Sequence, residues 1–321
     1  MAKRKKTDVR RQRFVPQAVD PQKLQHFLGV YEHGNFGLAA AAGNVTQQAV
    51  SKAVAKLEHE LGVPLFERTP HGAVPTIYAH TLARRAKIIT SESRLAMAEL
   101  SAMRGSTAGF VQVGIGWSFF PRIGPDAISH FRRQRPGVGL QVVGGTSAAL
   151  YPRLARGELD LVVSAPPTEL RPDPAIDTKV LYIEHDAVVL RAEHPLARKA
   201  TVSLRDLSKC TWLVALSLPD RWHAICAAFA NHGIEPPVDV IDLDSLSLAK
   251  SMLIRDDYAC LLSEELVAPE LKRGLYSAYR LDELPLNRPA LLATRRGTKL
   301  QPAAKVLGDA FERICGEYYP A

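Results

Sequence analysis

A short run of polar side chains has the chemistry needed to recognise DNA. Glutamine can form paired hydrogen bonds with adenine, hydroxyl groups can bond base edges or phosphates, and lysine binds phosphate. The run consists of Thr46, Gln47, Gln48, Ser51 and Lys52. Apolar residues between and after them recur at helical spacing, so we predict that the polar side chains share the outer face of one helix.

Two helices joined by a tight turn are predicted to present this face. Apolar spacing indicates a helix over residues 21–33 and an alanine-dense helix over 36–42. After a Gly-Asn turn, Thr46 can cap a third helix that continues to Leu61. This is a helix-turn-helix pattern, whose second helix enters the DNA major groove.

Contacts to the DNA backbone are expected from the same segment. Two short extended pieces around a Pro/Gly turn after the third helix are typical of a β-wing. We predict that Lys52, Arg68 and the wing residue His71 bind phosphates. For Arg68, an internal ion pair with Glu67 or Glu58 is the alternative to a phosphate contact. Phosphate contacts would make binding fall steeply with salt.

The charge distribution points to the same end of the chain. Residues 1–104 hold 16 Lys and Arg against 8 Asp and Glu, whereas residues 105–321 hold 25 of each. The whole net charge of +8 therefore lies in the first third, as expected for a nucleic-acid-binding end joined to a neutral body. The alternative is a solvated tail, because 7 of the 16 cations lie between residues 3 and 13. We interpret residues 1–20 as a flexible basic arm.

A long helix is predicted from about residue 76 to 104. Its apolar and small residues step by three and four over four heptads, which indicates a coiled-coil dimer helix. The seam is Ala79, Leu82, Ala86, Ile89, Ser93, Ala96, Leu100 and Met103. Of these, Leu82, Ile89, Leu100 and Met103 are the predicted dimerisation contacts. The alternative is an amphipathic helix packed on its own domain.

Beyond a Gly-Ser linker at 105–109, strands alternate with helices. Examples are strands at 111–115, 140–143 and 182–191, and a final helix at 301–318. This order predicts an α/β sheet with room for two lobes. The predicted fold class is thus α/β, with an N-terminal winged helix-turn-helix that is mostly α, a long linker helix and a two-lobed α/β domain.

Several function classes are disfavoured. Nothing resembles a secretory signal or a stretch of 18 apolar residues, so we expect a cytoplasmic location. The dinucleotide fingerprint, the P-loop and the hydrolase and metalloprotease motifs are missing, so no enzyme, cofactor or metal site is predicted. Cys210, Cys226, Cys260 and Cys315 are widely spaced and are expected to be reduced and buried.

From about Pro21 onward the chain resembles the LysR-type transcriptional regulators. The most specific block is LEHELGVPLFER at residues 57–68. Weaker family-like strings are GELDL at 157–161, HPLA at 194–197 and Asp244-Ser245 before a helix. Three departures stand out. The basic arm over residues 1–20 is longer than the family needs, and it is as consistent with an untidy tail as with added phosphate contacts. Gln48 lies where the family usually has Pro, and the Thr76–His80 segment lacks the usual Gly.

The resemblance implies a homodimeric or homotetrameric transcription factor that binds double-stranded promoter DNA and acts on RNA polymerase. It implies a winged helix-turn-helix over 21–78, a linker helix over 79–104 and an effector domain over 110–321, built like a periplasmic binding protein. Lobe I would cover about 110–180 and 288–321, and lobe II about 181–287. A small-molecule effector of unknown identity, with a carboxylate as one candidate, would bind between the lobes.

Effector contacts are predicted in loops that follow strands, because such loops line the clefts of α/β domains. A helix N-terminus in the second loop could hold a carboxylate. Family position adds three sites in later loops. The predicted contacts are Trp117, Ser118, Phe119, Thr146, Ser147, Ala165, Ser217 and Ser245.

Two alternatives stay open at this point. The first is a redox-sensing regulator acting through Cys210, with Cys226 as a partner. The second is a solute-binding protein whose N-terminal bundle only dimerises, although the polar run at residues 46–52 argues against it.

Overall fold

The structure is a computed structural model that describes residues 19–70, 72–103, 109–166, 173–216 and 219–320. The chain divides into two compact units, the first ending at Ser93 and the second beginning at Arg94. None of the described helices combines the length and the hydropathy that a membrane span requires.

The first unit is a three-helix bundle with a two-stranded wing. Its elements are α1 (Pro21–His33), α2 (Phe36–Ala42), α3 (Gln47–Leu61), β1 (Phe66–Thr69), β2 (Gly72–Pro75) and the first part of α4 (Ile77–Met103). The strands pair antiparallel, with Phe66 opposite Pro75. This arrangement confirms the predicted winged helix-turn-helix.

Local chemistry fixes the helix ends of this unit. The Asp20 side chain accepts the Gln22 N–H at the start of α1, and the Thr46 hydroxyl accepts the Ala49 N–H at the start of α3. Gly34 and Gly62 end α1 and α3 in the left-handed conformation, with φ of 61° and 71°. Such C-caps favour glycine because a Cβ is strained there.

Helix α4 belongs to the first unit over its initial turns. Ala79, Ala83 and Ala86 are buried in the bundle core, so the first part of the predicted seam packs on its own domain. The Lys87 ammonium lies 3.0 Å from a carboxylate oxygen of Glu32 on α1. At this end of the helix the structure therefore supports the alternative interpretation of the pattern.

The described part of the second unit is an α/β domain with one sheet of nine hydrogen-bonded strands. In its first half, β3 (Gly109–Gly116) pairs parallel with β4 (Val138–Gly145) and β5 (Leu161–Ser164). The helices of this half are α5 (Ile123–Gln134), α6 (Ser147–Ala155) and the C-terminal α11 (Pro302–Tyr318). Helices α5 and α11 cover one face over an apolar core.

Two strands carry the chain between the halves. Strand β6 (Ile176–Arg191) pairs with β11 (Asn287–Arg295) over its first part and with β9 (Tyr258–Ser263) over its second. The other strands of the second half are β7 (Thr211–Val214), β8 (Val240–Asp242) and β10 (Tyr276–Tyr279), and its helices are α7 (Leu204–Leu207), α8 (Pro219–Asn231), α9 (Leu246–Leu253) and α10 (Glu264–Lys272). The lobes expected over about 110–180 with 288–321 and over about 181–287 stay a prediction.

The sequence patterns missed α7, α10 and β10. Helix α7 has only four residues, and α10 follows β9 directly at Ser263, so its start was hidden behind the end of a strand. Strand β6 is also longer than the predicted 182–191. Its first residues alternate poorly in burial because they are exposed from Asp177 to Val180.

Candidate nucleic-acid interface and effector site

Helix α3 separates its apolar and polar side chains as predicted. Val50, Val54 and Leu57 are at most 1% exposed and face the bundle core. Gln48 and Lys52 are exposed on the opposite side. Because residues four apart share a helix face, this side presents a row of hydrogen-bonding groups to solvent.

The remaining members of the run differ in their surroundings. The Thr46 hydroxyl accepts the Ala49 N–H at 3.2 Å, so it caps the helix. The Gln47 amide oxygen lies 3.5 Å from where a Cβ on Gly37 would be, next to the start of α2. Ser51 is half-buried. Gln47, Gln48 and Lys52 are therefore exposed to solvent, whereas Thr46 is exposed and also caps the helix.

The base of the wing is tied to α3. Glu58 Oε1 accepts the backbone N–H groups of Leu65 at 2.7 Å and Phe66 at 3.1 Å. Arg68 lies on β1 opposite Ala73, although its side chain is outside the described part. His71 also lies outside the described residues.

The wing-to-helix joint, where the family's Gly is missing, has a defined structure. The Thr76 hydroxyl donates to the Pro64 carbonyl at 2.8 Å and the Thr76 N–H donates to Leu65. One turn later, His80 Nδ1 lies 2.8 Å from the Tyr31 hydroxyl. The side chain at position 80 thus links α4 to α1.

Three predicted effector loops are brought to one sheet edge. Gly116 at the end of β3 lies opposite Gly145 at the end of β4, and Ile115 lies opposite Val163 on β5. The loops that begin after residues 116, 145 and 164 are therefore neighbours. A Cβ on Gly116 would lie 2.8 Å from the Ser164 Cβ, which explains the glycine between these strands.

The first of these loops presents one aromatic surface and buries another. Trp117 is 43% exposed, and its ring meets that of Phe120 edge to face at 5.0 Å. Phe119 is fully buried, with its ring centroid 5.9 Å from that of Tyr182 and 6.3 Å from that of Phe311. The ring of Phe119 therefore belongs to the apolar core, and its contact with an effector stays a prediction. Ser118 is also buried.

The other predicted contacts are hydroxyl groups at helix starts and one alanine. Thr146 and Ser147 are half-buried, and the Thr146 hydroxyl makes no capping bond to α6. Ala165 follows β5 and is 9% exposed. In the second half, the Ser245 hydroxyl accepts the Leu248 N–H and so caps α9. Ser217 lies outside the described residues.

A charged cluster joins the two halves, and the sequence patterns did not reveal it. Arg122, just before α5, forms a bidentate ion pair with the buried Glu265 on α10. The Tyr319 hydroxyl donates to the same carboxylate, and its ring stacks on Tyr182 with centroids 4.2 Å apart. The bond to Glu265 raises the pKa of Arg122, and burial raises that of Tyr319. Residues 143 positions apart make this contact, so no local pattern could show it.

The predicted dimer contacts fall into two groups. Leu82 is half-buried and packs on the core of its own unit. Ile89 and Leu100 are 41% and 53% exposed. Met103 is the last residue of α4, and its side chain is outside the described part.

The four thiols are largely shielded from solvent. Cys210, Cys260 and Cys315 are buried, Cys226 is half-buried, and all four are free thiols. Burial first, and then Asp257 and Asp206, raise the pKa of Cys210 to about 11. In the described part of the chain, no three His, Cys, Asp or Glu side chains group as metal ligands would.

Comparison with known proteins agrees with this architecture. Residues 21–80 match the model of the bacterial regulatory helix-turn-helix protein, lysR family, and residues 104–315 match the LysR substrate binding domain. The HTH-type transcriptional regulator GalR of Pseudomonas putida is 30% identical over 92% of this chain and 74% of its own. The SDS degradation transcriptional activation protein of a Pseudomonas species is 27% identical over 90% of this chain and 94% of its own.

Solved structures show the same fold. Full-length OxyR from Pseudomonas aeruginosa has a TM-score of 0.70 at 22% identity, covering 92% of this chain and 95% of its own. Full-length CbnR complexed with its target DNA has a TM-score of 0.61 at 19% identity, covering 92% of this chain and 100% of its own.

The two units thus define a DNA-binding regulator with an effector-binding domain. The chain belongs to the LysR family of transcriptional regulators. The family resemblance found in the sequence is confirmed, and the solute-binding alternative is set aside by the helix-turn-helix match.

Proposed function

We propose that α3 reads base edges of a promoter operator through Gln47, Gln48 and Ser51, with Thr46 at its start and Lys52 on phosphate. The observation that carries this proposal is the exposed polar side of α3 on a helix whose other side is locked into the bundle core. The wing residues Arg68 and His71 would add phosphate contacts. Recognition helices use this division between base and backbone contacts.

We further propose that a small-molecule effector binds at the loops after β3, β4 and β5 and controls the DNA complex. Two observations support this location. Thr146 is half-buried and its hydroxyl does not cap α6, and the Trp117 ring is exposed. Ser118, Ser147 and Ala165 would complete the site in the first half, and Ser217 and Ser245 would contribute from the second. The chemical class of the effector, a carboxylate or another anion, stays a prediction.

We propose self-association through α4 from Ile89 onward. Ile89, Met97 and Leu100 expose apolar side chains there, and two copies of the helix could cover one another. A dimer matches a two-fold operator. Action on RNA polymerase remains an expectation from the family resemblance, and a cytoplasmic location remains an expectation from the sequence.

The DNA proposal is tested with the fragment upstream of the gene for this protein. Wild-type protein should bind it tightly, with log affinity falling linearly with log salt concentration. Gln48→Ala should lose about 1–3 kcal/mol of preference at one base position, with the salt slope unchanged, because glutamine carries no charge. Lys52→Ala should instead lower the slope by about one and leave the base preference intact. Fluorescence anisotropy over a salt series, on operator and on random DNA, measures both.

Ser51→Ala serves as a second base-contact variant, and Lys272→Ala, an exposed lysine on α10, serves as the charge control. Weak binding by wild-type protein, equal on operator and random DNA and unchanged in Gln48→Ala, would contradict the assignment of α3.

The redox alternative makes a separate prediction about Cys210. Its pKa of about 11 leaves on the order of one thiol in a thousand ionised at pH 8, and the thiolate is the reactive form. We therefore expect the native protein to react with a disulfide reagent at Cys210 far more slowly than the urea-unfolded protein. The rate should rise as the pH approaches 11.

Mass spectrometry of reagent-labelled peptides assigns the reaction to each cysteine, with the half-buried Cys226 as internal comparison. A fast reaction of native Cys210 at pH 7, together with altered DNA binding after peroxide treatment, would favour the redox-sensing function.

A further inference from the structure

We propose that Gly72 is a positioning residue for DNA binding, which fixes the wing by letting it dock on the end of α1. The inference rests on the proposed role of α3 and the wing in DNA binding. Because Gly72 has no side chain, its proposed effect on DNA binding comes only from the position of the wing.

The docking contact joins two backbone segments. The Ala73 N–H donates a hydrogen bond of 2.7 Å to the carbonyl oxygen of Gly34, the C-cap residue of α1. Ala73 is 5% exposed and belongs to the bundle core. One strand of the wing is therefore hydrogen-bonded to the turn between α1 and α2.

Only glycine permits this approach at position 72. Gly72 has φ of 133°, a conformation that side-chain-bearing residues rarely adopt. A Cβ at this position would lie 2.4 Å from the Gly34 carbonyl oxygen, well inside van der Waals contact. Since the obstructing atom belongs to the backbone, a side chain would displace the wing from the turn.

The dock supplies a second fixed point for the wing. Glu58 on α3 holds the base of the wing through the N–H groups of Leu65 and Phe66. The Gly34 carbonyl holds β2 near the tip of the wing by accepting the Ala73 N–H. With both points fixed, β1 and β2 keep one position relative to the exposed polar side of α3. Displacement at the tip should remove backbone contacts and spare the base contacts.

The test compares Gly72→Ala with Gly62→Ala in the full-length protein. Gly62 has φ of 71°, and no atom of the described residues lies within 4 Å of the position that its Cβ would take. Alanine there therefore has the left-handed strain without the clash. Hydroxyl-radical footprinting reports the DNA backbone contacts, methylation protection reports the major groove, and a salt series gives the number of phosphates bound. Urea unfolding of each variant checks that it is folded.

We expect Gly72→Ala to lose backbone protection at the flank of each half-site and to lower the salt slope by about one for each phosphate that the wing no longer binds. Major-groove protection should persist. Gly62→Ala should keep the wild-type slope and footprint even if its stability falls by a similar amount. A folded Gly72→Ala with the wild-type slope and flanking footprint would overturn the positioning role.

A second variant covers the case in which Gly72→Ala does not fold. Replacing Ala73 by the corresponding α-hydroxy acid removes the N–H donor and adds no side-chain atom. It should reduce the same flanking protection, and an unchanged footprint would contradict the proposal. If wild-type protein shows no sequence-specific binding, the proposed DNA role of α3 is wrong. If wild-type protein binds specifically and the variants bind in the same way, only the proposed role of Gly72 is wrong.

Discussion

Phe27→Ala is expected to abolish specific DNA binding by unfolding the first unit. Phe27 is fully buried, with its ring centroid 5.6 Å from that of Phe66 on the wing and 6.0 Å from that of Tyr31. Removing a buried phenylalanine side chain costs about 3–5 kcal/mol, because the apolar packing around the ring disappears and a cavity remains. Domains have only about 5–15 kcal/mol of stability in total, so a small unit has little reserve.

The measurement separates the two units. All three tryptophans, Trp117, Trp212 and Trp222, lie in the second unit, so their fluorescence reports that unit alone. We expect far-UV circular dichroism to show an early thermal transition in Phe27→Ala and DNA affinity to fall to the non-specific level. Tryptophan fluorescence should change little.

Leu38→Ala is the matched control in the same unit, because Leu38 is 59% exposed and its truncation leaves no cavity. Its thermal transition and DNA affinity should stay close to those of wild type. Wild-type affinity and an unchanged transition in Phe27→Ala would contradict the view that this core holds the DNA-binding surface together.

Asp160→Ala is expected to destabilise the second unit strongly. The Asp160 side chain is 3% exposed, and its carboxylate accepts from Arg94 at 2.8 Å and from the Gln112 N–H at 2.8 Å. Gln301 donates to it at 3.2 Å. Breaking a buried ion pair by removing one partner costs about 3–5 kcal/mol, and we expect the lower end because Arg94 is partly exposed.

Asp177→Ala provides the contrast. Asp177 also pairs with an arginine, Arg296, at 2.7 Å, but both side chains are more than half exposed. Exposed pairs contribute only about 0–1 kcal/mol, so its urea midpoint should move little. Tryptophan fluorescence monitors the urea unfolding of both variants. Equal midpoints for Asp160→Ala and Asp177→Ala would show that burial of Asp160 has no energetic role.

The DNA-binding unit was predictable because its signals are local. The Thr46 cap, the Gly62 stop and the spacing of Val50, Val54 and Leu57 each act within one helix. Periodicity and capping depend on neighbouring residues, so the sequence alone defined α3 and its polar side. The wing followed from its Pro and Gly residues for the same reason.

The α/β fold class of the effector domain was predictable from the sequence, whereas the burial of individual loop residues was not. Alternating strands and helices indicated an α/β sheet, and the loops after β3, β4 and β5 do meet at one edge. Whether a given loop residue faces solvent depends on the elements packed over it. Phe119 and Trp117 are two residues apart in one short helical turn, yet one is fully buried and the other 43% exposed.

Helix α4 shows the limit of a repeating pattern. A heptad of small and apolar residues fits both a dimer seam and a face packed on its own domain. The structure buries Ala79 and Ala86 within the first unit and leaves Ile89 and Leu100 exposed. The same repeat therefore serves an internal contact at one end and stays available for a partner at the other.

By itself, the sequence determined the family, the α/β class of the second unit and the polar face of α3, because these depend on residue types and on short spacings. Only the tertiary structure decided which charges pair and which loops dock. Arg122 meets Glu265 and Ala73 meets Gly34 only after the chain has returned on itself. A buried partner or a close backbone approach depends on distance in space, which spacing along the chain does not encode.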